Sequence, residues 1–366
     1  METALQTKSD AAGDDWAITD AVVRLRQWGT DRMHALPTAP ATEWIIGSTD
    51  ACWLHLKDPK GRVSRRHAAL RRDGDRWLII DLGSKNGMKV DGVQRESVVL
   101  EPGAEIWIGG VTLLAESARL AALRSYLGRI LGWKTRQTRA VDFALRSVRM
   151  AAARRSALVL CGEDDLVLLA RSLHRRALGP DRPFIVCDPR RKQSKDTVRN
   201  SENYTEAMPA MLAATRGSLC IWNHKRPRDF REMKLALEDP DIRVHLIVCA
   251  RDPSEADMFG TTAITIPRLA DRPDELTLIV EEYWKDAASE LGLVHPAFTA
   301  ADNDWVLKHE TASLPEIEKA TMRLLALRQA GGSIGRAAAR LDMARQSLHD
   351  WIERRSSIPV KIASGD

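Results

Sequence analysis

The sequence predicts a multidomain chain: an N-terminal β-sandwich, a central α/β domain with a helical lid, and a C-terminal three-helix helix-turn-helix. Three observations lead there. Between residues 21 and 114, short apolar runs that alternate like strands are separated by Gly, Pro and Asp turns, the signature of a sandwich. From residue 116 the spacing becomes helical, and a buried strand-like run, Ala157-Leu-Val-Leu-Cys161, then leads into a mixed α/β pattern. Near the C-terminus Gly331-Gly332 breaks one helical run, and Ser333 can cap the next.

Taken in order, residues 1–16 form a polar leader expected to be disordered, and 17–118 form the sandwich. A linker helix is expected over 119–135, with Leu and Ile at helical spacing up to Gly128. The α/β domain is placed at 136–265, the helical lid at 266–328, the helix-turn-helix at 329–356 and a short tail at 357–366. The start of the chain lacks the basic residues and apolar block of a signal peptide, and no apolar run approaches membrane-spanning length. A cytoplasmic protein without membrane contact is therefore expected. The five cysteines are odd in number and scattered, without a Cys-x-x-Cys pair, so buried thiols explain them better than zinc or disulfides. The net charge of +5 permits contact with nucleic acid without arguing for it.

The most informative stretch, residues 61–92, sets polar residues on loops between strand-like runs: Ser64-x-x-His67, then Ser84-Lys85-Asn86-Gly87 after the strand from Trp77 to Asp81. A phosphate at neutral pH offers three acceptor oxygens and nearly two negative charges, so its reader needs hydroxyl, amide and cationic donors at one spot. Ser64 supplies a hydroxyl, Arg65 and Lys85 the best placed cations, and Arg62 a weaker one. Asn86 can hold the main chain of a peptide, and Gly87 allows a positive φ. This pattern, with Leu100-Glu-Pro-Gly-Ala-Glu-Ile-Trp-Ile-Gly109 after it, resembles the forkhead-associated (FHA) domain, a sandwich whose loops read phosphothreonine. The resemblance covers roughly residues 16 to 117. It implies phosphopeptide-binding roles for Ser48, Ser64, Arg65, Ser84, Lys85 and Asn86, and structural roles in the loops for Gly47, His67 and Gly87. One departure is visible: the family usually follows the early glycine with an Arg that grips phosphate, whereas Gly47 is followed by Ser48. Loss of that fork would weaken binding by roughly 1.5–3 kcal/mol, and an FHA fold kept as an interaction module without phosphate recognition stands as the alternative.

From residue 138 the chain resembles the central AAA+ domain of the bacterial enhancer-binding proteins that drive sigma-54 RNA polymerase. The strand at Cys161 and the run Arg182-Pro-Phe-Ile-Val-Cys187 carry that resemblance, as do Gly217-Ser-Leu-Cys-Ile-Trp-Asn223 and Asp241-Ile-Arg-Val-His-Leu-Ile-Val-Cys-Ala-Arg251. The catalytic parts are eroded. Where the family has a Gly-rich phosphate loop ending in Lys, Asp164 and Asp165 would repel a triphosphate. Trp222 and Asn223 stand where an Asp and a Glu are expected, Pro315 replaces the nucleotide-sensing Arg, and residues 192–203 lack the sigma-contacting loop. The resemblance implies a scaffold without ATPase activity, with no catalytic residue, metal or cofactor.

The last helices resemble the Fis-type helix-turn-helix that closes the same proteins. On that resemblance Arg345, Gln346, Ser347 and His349 face the DNA major groove, Arg336 and Arg340 contact backbone phosphates, and Arg354 and Arg355 join them. Against it stand Asp350 and Glu353, where basic residues would help, and Ala344 in place of a Ser cap. The expected function is a transcriptional regulator coupling phosphothreonine-peptide recognition to sequence-specific DNA binding. Its partners would be a threonine-phosphorylated protein or Ser/Thr kinase, DNA, and a second copy in a homodimer. The alternative is a phosphopeptide-dependent adaptor that does not bind DNA, and an ATP-dependent sigma-54 activator ranks third.

Overall fold

The computed structural model describes residues 20–38, 42–133, 135–154, 156–179, 181–194, 201–294, 296–309, 312–355 and 357–362. The leader expected at 1–16 thus lies outside the described residues. The chain divides into two compact units. The first takes the residues up to Arg124, Asp142–Ser156 and Arg176–Asp181, and the second takes Ser125–Val141, Ala157–Arg175 and the residues from Arg182 onward.

The first unit is a sandwich of two sheets. Its strands are β1 (Val22–Gln27), β2 (Met33–Ala35), β3 (Trp44–Gly47), β4 (Leu54–His55), β5 (Ala68–Asp73), β6 (Arg76–Asp81), β7 (Met88–Val90), β8 (Val93–Arg95), β9 (Ser97–Val99), β10 (Glu105–Ile108) and β11 (Val111–Ser117). One sheet runs β2-β1-β11-β10-β7-β8 and the other β4-β3-β5-β6-β9. Inward positions Leu25, Ile46, Leu70, Ile79, Ile106 and Leu113 are fully buried between the sheets, the burial that period-2 patterning is built to achieve.

Beside β1 and β11 a charged cluster is also fully buried. Arg26 Nε donates to Glu116 Oε1 at 2.6 Å, its Nη2 pairs with Asp142 at 2.6 Å, and the Gly29 amide donates to Asp142 at 2.7 Å. Burial works against the charge, yet the two carboxylates outweigh it and hold the Arg26 pKa above its usual value. A buried charge persists when it is paired and hydrogen-bonded, and this one is both.

Three helices, α1 (Ala118–Leu131), α2 (Thr135–Arg154) and α3 (Leu166–Leu178), have residues in both units, and the second unit contains β12 (Leu158–Cys161), β13 (Phe184–Cys187), β14 (Glu202–Tyr204), α4 (Ala207–Ala213), β15 (Ser218–Trp222), α5 (Phe230–Ala236), β16 (His245–Ala250) and β17 (Ile264–Thr265). Five helices follow: α6 (Leu276–Glu290), α7 (Ala300–His309), α8 (Leu314–Gln329), α9 (Ile334–Arg340) and α10 (Arg345–Glu353). The sheet is wholly parallel, in the order β14-β13-β15-β16-β12-β17. Every residue of β12, β13 and β16 is buried, as a parallel sheet covered on both faces requires.

The region read as a bare polar segment, 192–203, in fact ends in the edge strand β14, while residues 195–200 fall outside the described residues. Asn203 is responsible for the difference. Its buried amide accepts from the Asp188 N–H at 3.0 Å and donates to the carbonyls of Asp188, Arg191 and Lys192. A periodicity reading cannot see such a contact.

Helix α4 is capped from a distance: both Asp229 carboxylate oxygens accept at 2.8 Å, from the Ala207 and Met208 amides. Asp229→Ala should cost about 1 kcal/mol, the usual worth of a lost N-terminal acceptor, read from the urea midpoint. Elsewhere Arg272 closes the end of α1, donating to the carbonyls of Arg129 at 2.7 Å and Ile130 at 3.0 Å while paired with Glu275.

Candidate functional site

At one end of the sandwich, the loop before β5 meets the loop between β6 and β7. His67 joins them. Its ring is fully buried, Nδ1 lies 3.0 Å from the Ser64 amide, and Nε2 lies 3.2 Å from the Gly87 carbonyl. Because Nδ1 accepts from an N–H, the network assigns the neutral tautomer, with the Nε2 proton donated to Gly87. Gly47 lets the first loop lie against β3: a Cβ there would stand 2.1 Å from the Arg65 carbonyl oxygen. The Ser48 amide then donates to the Ser64 carbonyl at 3.0 Å.

On this frame the Lys85 amide donates to Ser64 Oγ at 3.1 Å, and Asn86 Nδ2 donates to the Arg62 carbonyl at 2.7 Å. Since Ser64 Oγ accepts from Lys85, the single hydroxyl proton remains for an incoming oxygen. The Arg65 and Lys85 side chains are exposed and bond to no described residue. Two loops tied to each other thus carry a hydroxyl with its proton to give and two exposed cations uncommitted among the described residues, the groups that a phosphate needs. Gly87 has φ 66°, the left-handed turn expected of it.

Two expectations change, for Ser84 and Arg62, while Ser48 keeps its place. Ser84 gives its hydroxyl proton to Asp81 Oδ1 at 2.6 Å and its amide to Asp81 Oδ2 at 3.0 Å, so it shapes the loop and has no proton left for a phosphate. Arg62 forks onto Asp58, Nε at 3.1 Å and Nη2 at 3.2 Å, and this holds the Asp58 carboxyl down at about 2. It is a turn-closing ion pair. Ser48 joins the frame through its amide, and its half-buried side chain offers a hydroxyl where the family's Arg fork is missing.

The sequence reading also missed two supports: Thr49 Oγ1 and Cys52 Sγ each lie 3.2 Å from the Arg65 carbonyl oxygen, fixing the residue that carries the cation. A motif reading had no signal for Cys52. For Thr49, adjacency to Ser48 was the available hint.

In the second unit, Asp164 Oδ2 accepts from the Leu314 amide at 3.2 Å, at the start of α8, and Oδ1 accepts from Asp165 at 2.6 Å. Burial pushes its carboxyl pKa up. Asn223 Nδ2 donates to Glu255 Oε2 in a short contact. Trp222 stacks edge-on against His224, with ring centroids 5.1 Å apart. Neither Trp222 nor Asn223 is a general base, and Pro315 sits in the first turn of α8.

The residues expected to read DNA are only partly free. Arg345 and Gln346 are exposed at the start of α10, but the Gln346 amide donates to Asp350 at 2.6 Å. Ser347 is half-buried, and the His349 side chain is 44% exposed. Arg336 donates from Nη2 to the Ala330 carbonyl at 2.8 Å, and both Arg336 and Arg340 are exposed. Ser333 does cap α9, accepting from the Arg336 amide at 3.3 Å.

The FHA domain family model matches residues 44–109, the span that contains the loops carrying Ser64 and Lys85. A 52-residue stretch is 48% identical to an oxoglutarate dehydrogenase inhibitor of Corynebacterium jeikeium and 44% identical to that of Corynebacterium diphtheriae. Each match takes in 14% of this chain and 36% of the relative, so the chain spans about a third of the length of these curated relatives. Among solved structures, the FhaA FHA domain complexed with the intracellular domain of Rv3910 is 30% identical over 25% of this chain and 96% of that one, with a TM-score of 0.23. Mycobacterium tuberculosis EmbR in complex with a low-affinity phosphopeptide is 27% identical over 29% of this chain and 28% of that one, with a TM-score of 0.24. The N-terminal sandwich is an FHA domain, followed by a multidomain remainder with a helical C-terminal part. Among the described residues no helix is long and apolar enough to cross a membrane.

Proposed function

We propose that this chain is a phosphothreonine-dependent adaptor: its FHA loops take a threonine-phosphorylated segment of a partner, a Ser/Thr kinase or another phosphorylated protein, and the remainder serves as an assembly surface. One observation carries the reading. Ser64 keeps its hydroxyl proton while accepting from Lys85, between the exposed cations of Arg65 and Lys85. The Corynebacterium relatives' name, oxoglutarate dehydrogenase inhibitor, supports a target controlled by binding. All five cysteines are buried and free, which fits a reducing, cytoplasmic setting.

The central α/β part is read as an ATPase-derived scaffold without turnover, and no catalytic residue or cofactor is assigned. Asp164 supports that reading, because its carboxylate already takes the Leu314 amide at the start of α8.

Calorimetric titration with a phosphothreonine peptide, its unphosphorylated form and the phosphoserine form tests the adaptor. Only the first should bind well. Ser64→Ala should weaken it about tenfold, the worth of one charge-assisted hydrogen bond of roughly 1.5 kcal/mol. Lys85→Ala and Arg65→Ala should each weaken it several-fold, with the loss shrinking as salt rises. Equal affinity for the unphosphorylated peptide sinks the proposal.

DNA binding is the second reading, favoured by the exposed Arg345 and Gln346 on α10 and by the Ser333-capped α9 before it. Duplex retention that falls steeply with salt and is lost in Arg345→Ala would support it. No retention at low salt leaves the adaptor alone.

A further inference from the structure

We infer that a recess formed by α3, α8 and the turn between α9 and α10 binds a small amphipathic organic acid, its apolar body inside and a single carboxylate at the rim. The recess has a volume of about 680 Å³, the size of a small-molecule site, and all its lining residues belong to the second unit. Leu168 of α3, Leu291 after α6, Met322 of α8, and Leu341 and Met343 of the turn give it an apolar interior. Each of the five is half-buried, so this surface still meets water that an apolar body would displace favourably. Two of them are methionines, whose unbranched thioethers adapt to the shape of an occupant.

The turn is built to hold its two apolar residues there. Leu341 ends α9, and Asp342 takes the left-handed position with φ 45°. The Met343 amide donates to the Ala338 carbonyl at 3.0 Å and the Asp342 amide to the Ala339 carbonyl at 3.2 Å. That pair of bonds is a Schellman closure, which a glycine would complete at less conformational cost. The chain thus accepts a disfavoured backbone at the point that fixes Leu341 and Met343 against the recess.

The rim selects the charge. Arg175 lies 3.7 Å from Glu290, and Ser172 Oγ donates to Glu318 at 3.5 Å, so both of these carboxylates are engaged. Lys319 of α8 and Arg340 at the end of α9 line the recess with exposed side chains that bond to no described residue. Cations on two separate helices can share the two oxygens of one carboxylate. Asp342, the remaining carboxylate of the lining, opposes a polyanion and leaves a monoanion as the better occupant.

Full-length protein is titrated with octanoate and, in a parallel arm, with octanol, read from its methionine methyl resonances. Octanoate should shift Met322 and Met343 saturably while Met88, buried in the sandwich, stays in place. Octanol should bind at least tenfold more weakly. The double variant Lys319→Gln, Arg340→Gln, shown to be folded by its amide spectrum, should weaken octanoate at least tenfold and leave octanol unchanged. Met343→Gln should weaken both. The proposal is overturned if octanoate moves neither methyl, if octanol binds as tightly, or if the folded double variant binds octanoate as the wild type does. An acidic amphipathic peptide that moved the same methyls where octanoate did not would overturn it as well.

Discussion

Lowering the pH from 7 towards 4 is expected to destabilise the α/β unit by several kcal/mol, through two buried histidines on one face of its sheet. His174 of α3 lies 2.8 Å from Ser218 Oγ through Nδ1 and 3.0 Å from the Arg182 carbonyl through Nε2, while His245 is the register partner of Ser218 on the next strand. Burial pushes the His174 pKa down to about 4, with Arg171 and Arg175 adding to the effect. Burial likewise takes His245 down to about 3, with His174 nearby adding a smaller push.

The sign follows from proton counts. Between these values and the unfolded value near 6.5, the unfolded chain binds protons that the native sheet refuses. Stability is therefore complete above about pH 6.5 and falls as the pH drops towards 4. A tenfold loss of proton affinity on folding is worth roughly 1.4 kcal/mol, so His174 alone accounts for about 3 kcal/mol and His245 for at least as much. Asp164, with its raised pKa, opposes the loss at the acid end. Urea unfolding from pH 7 to 4, with hydrogen exchange read at β15 and β16, measures the effect. A flat profile, or an unchanged one in His174→Gln, would refute the assignment to these rings.

Legibility in the sequence followed the range of the interactions. The FHA loops could be read because their key residues are close in sequence and sit at strand ends: Ser64 and His67 three apart, Lys85 to Gly87 contiguous. The buried strands β12, β13, β15 and β16 were visible as apolar runs. What stayed hidden depends on partners brought together only by folding. Arg26 meets Asp142 across 116 positions, and no local pattern marks either as a core residue. Ser84 illustrates a different failure: its position suited a phosphate donor, but the one proton it owns goes to Asp81 three residues earlier. A similar pairing lies on the exposed face of α10, where Gln346 and Asp350 are one helical turn apart and satisfy each other.

Gly47→Ala should abolish phosphopeptide binding, with a loss of at least about a hundredfold, and lower the stability of the sandwich by about 1–3 kcal/mol. The added Cβ would lie 2.1 Å from the Arg65 carbonyl oxygen, 2.8 Å from its carbonyl carbon and 3.0 Å from the Ser64 oxygen. All three are backbone atoms, and the surroundings leave them little room to yield. Thr49 and Cys52 hold the Arg65 carbonyl, the Ser48 amide holds the Ser64 carbonyl, and the His67 amide donates to Ile46 at 2.8 Å. Relief must come from the loop as a whole, which takes Ser64 and Arg65 away from Lys85. Gly87→Ala is the informative comparison. It forces a left-handed conformation, worth about 1–2 kcal/mol, yet its nearest obstacle at 2.5 Å is the end of the flexible Gln94 side chain. That substitution should cost stability while retaining measurable binding. If Gly47→Ala, shown to be folded by its amide spectrum, bound the phosphothreonine peptide as tightly as the wild type, the loop between β4 and β5 would not be the phosphate-gripping element.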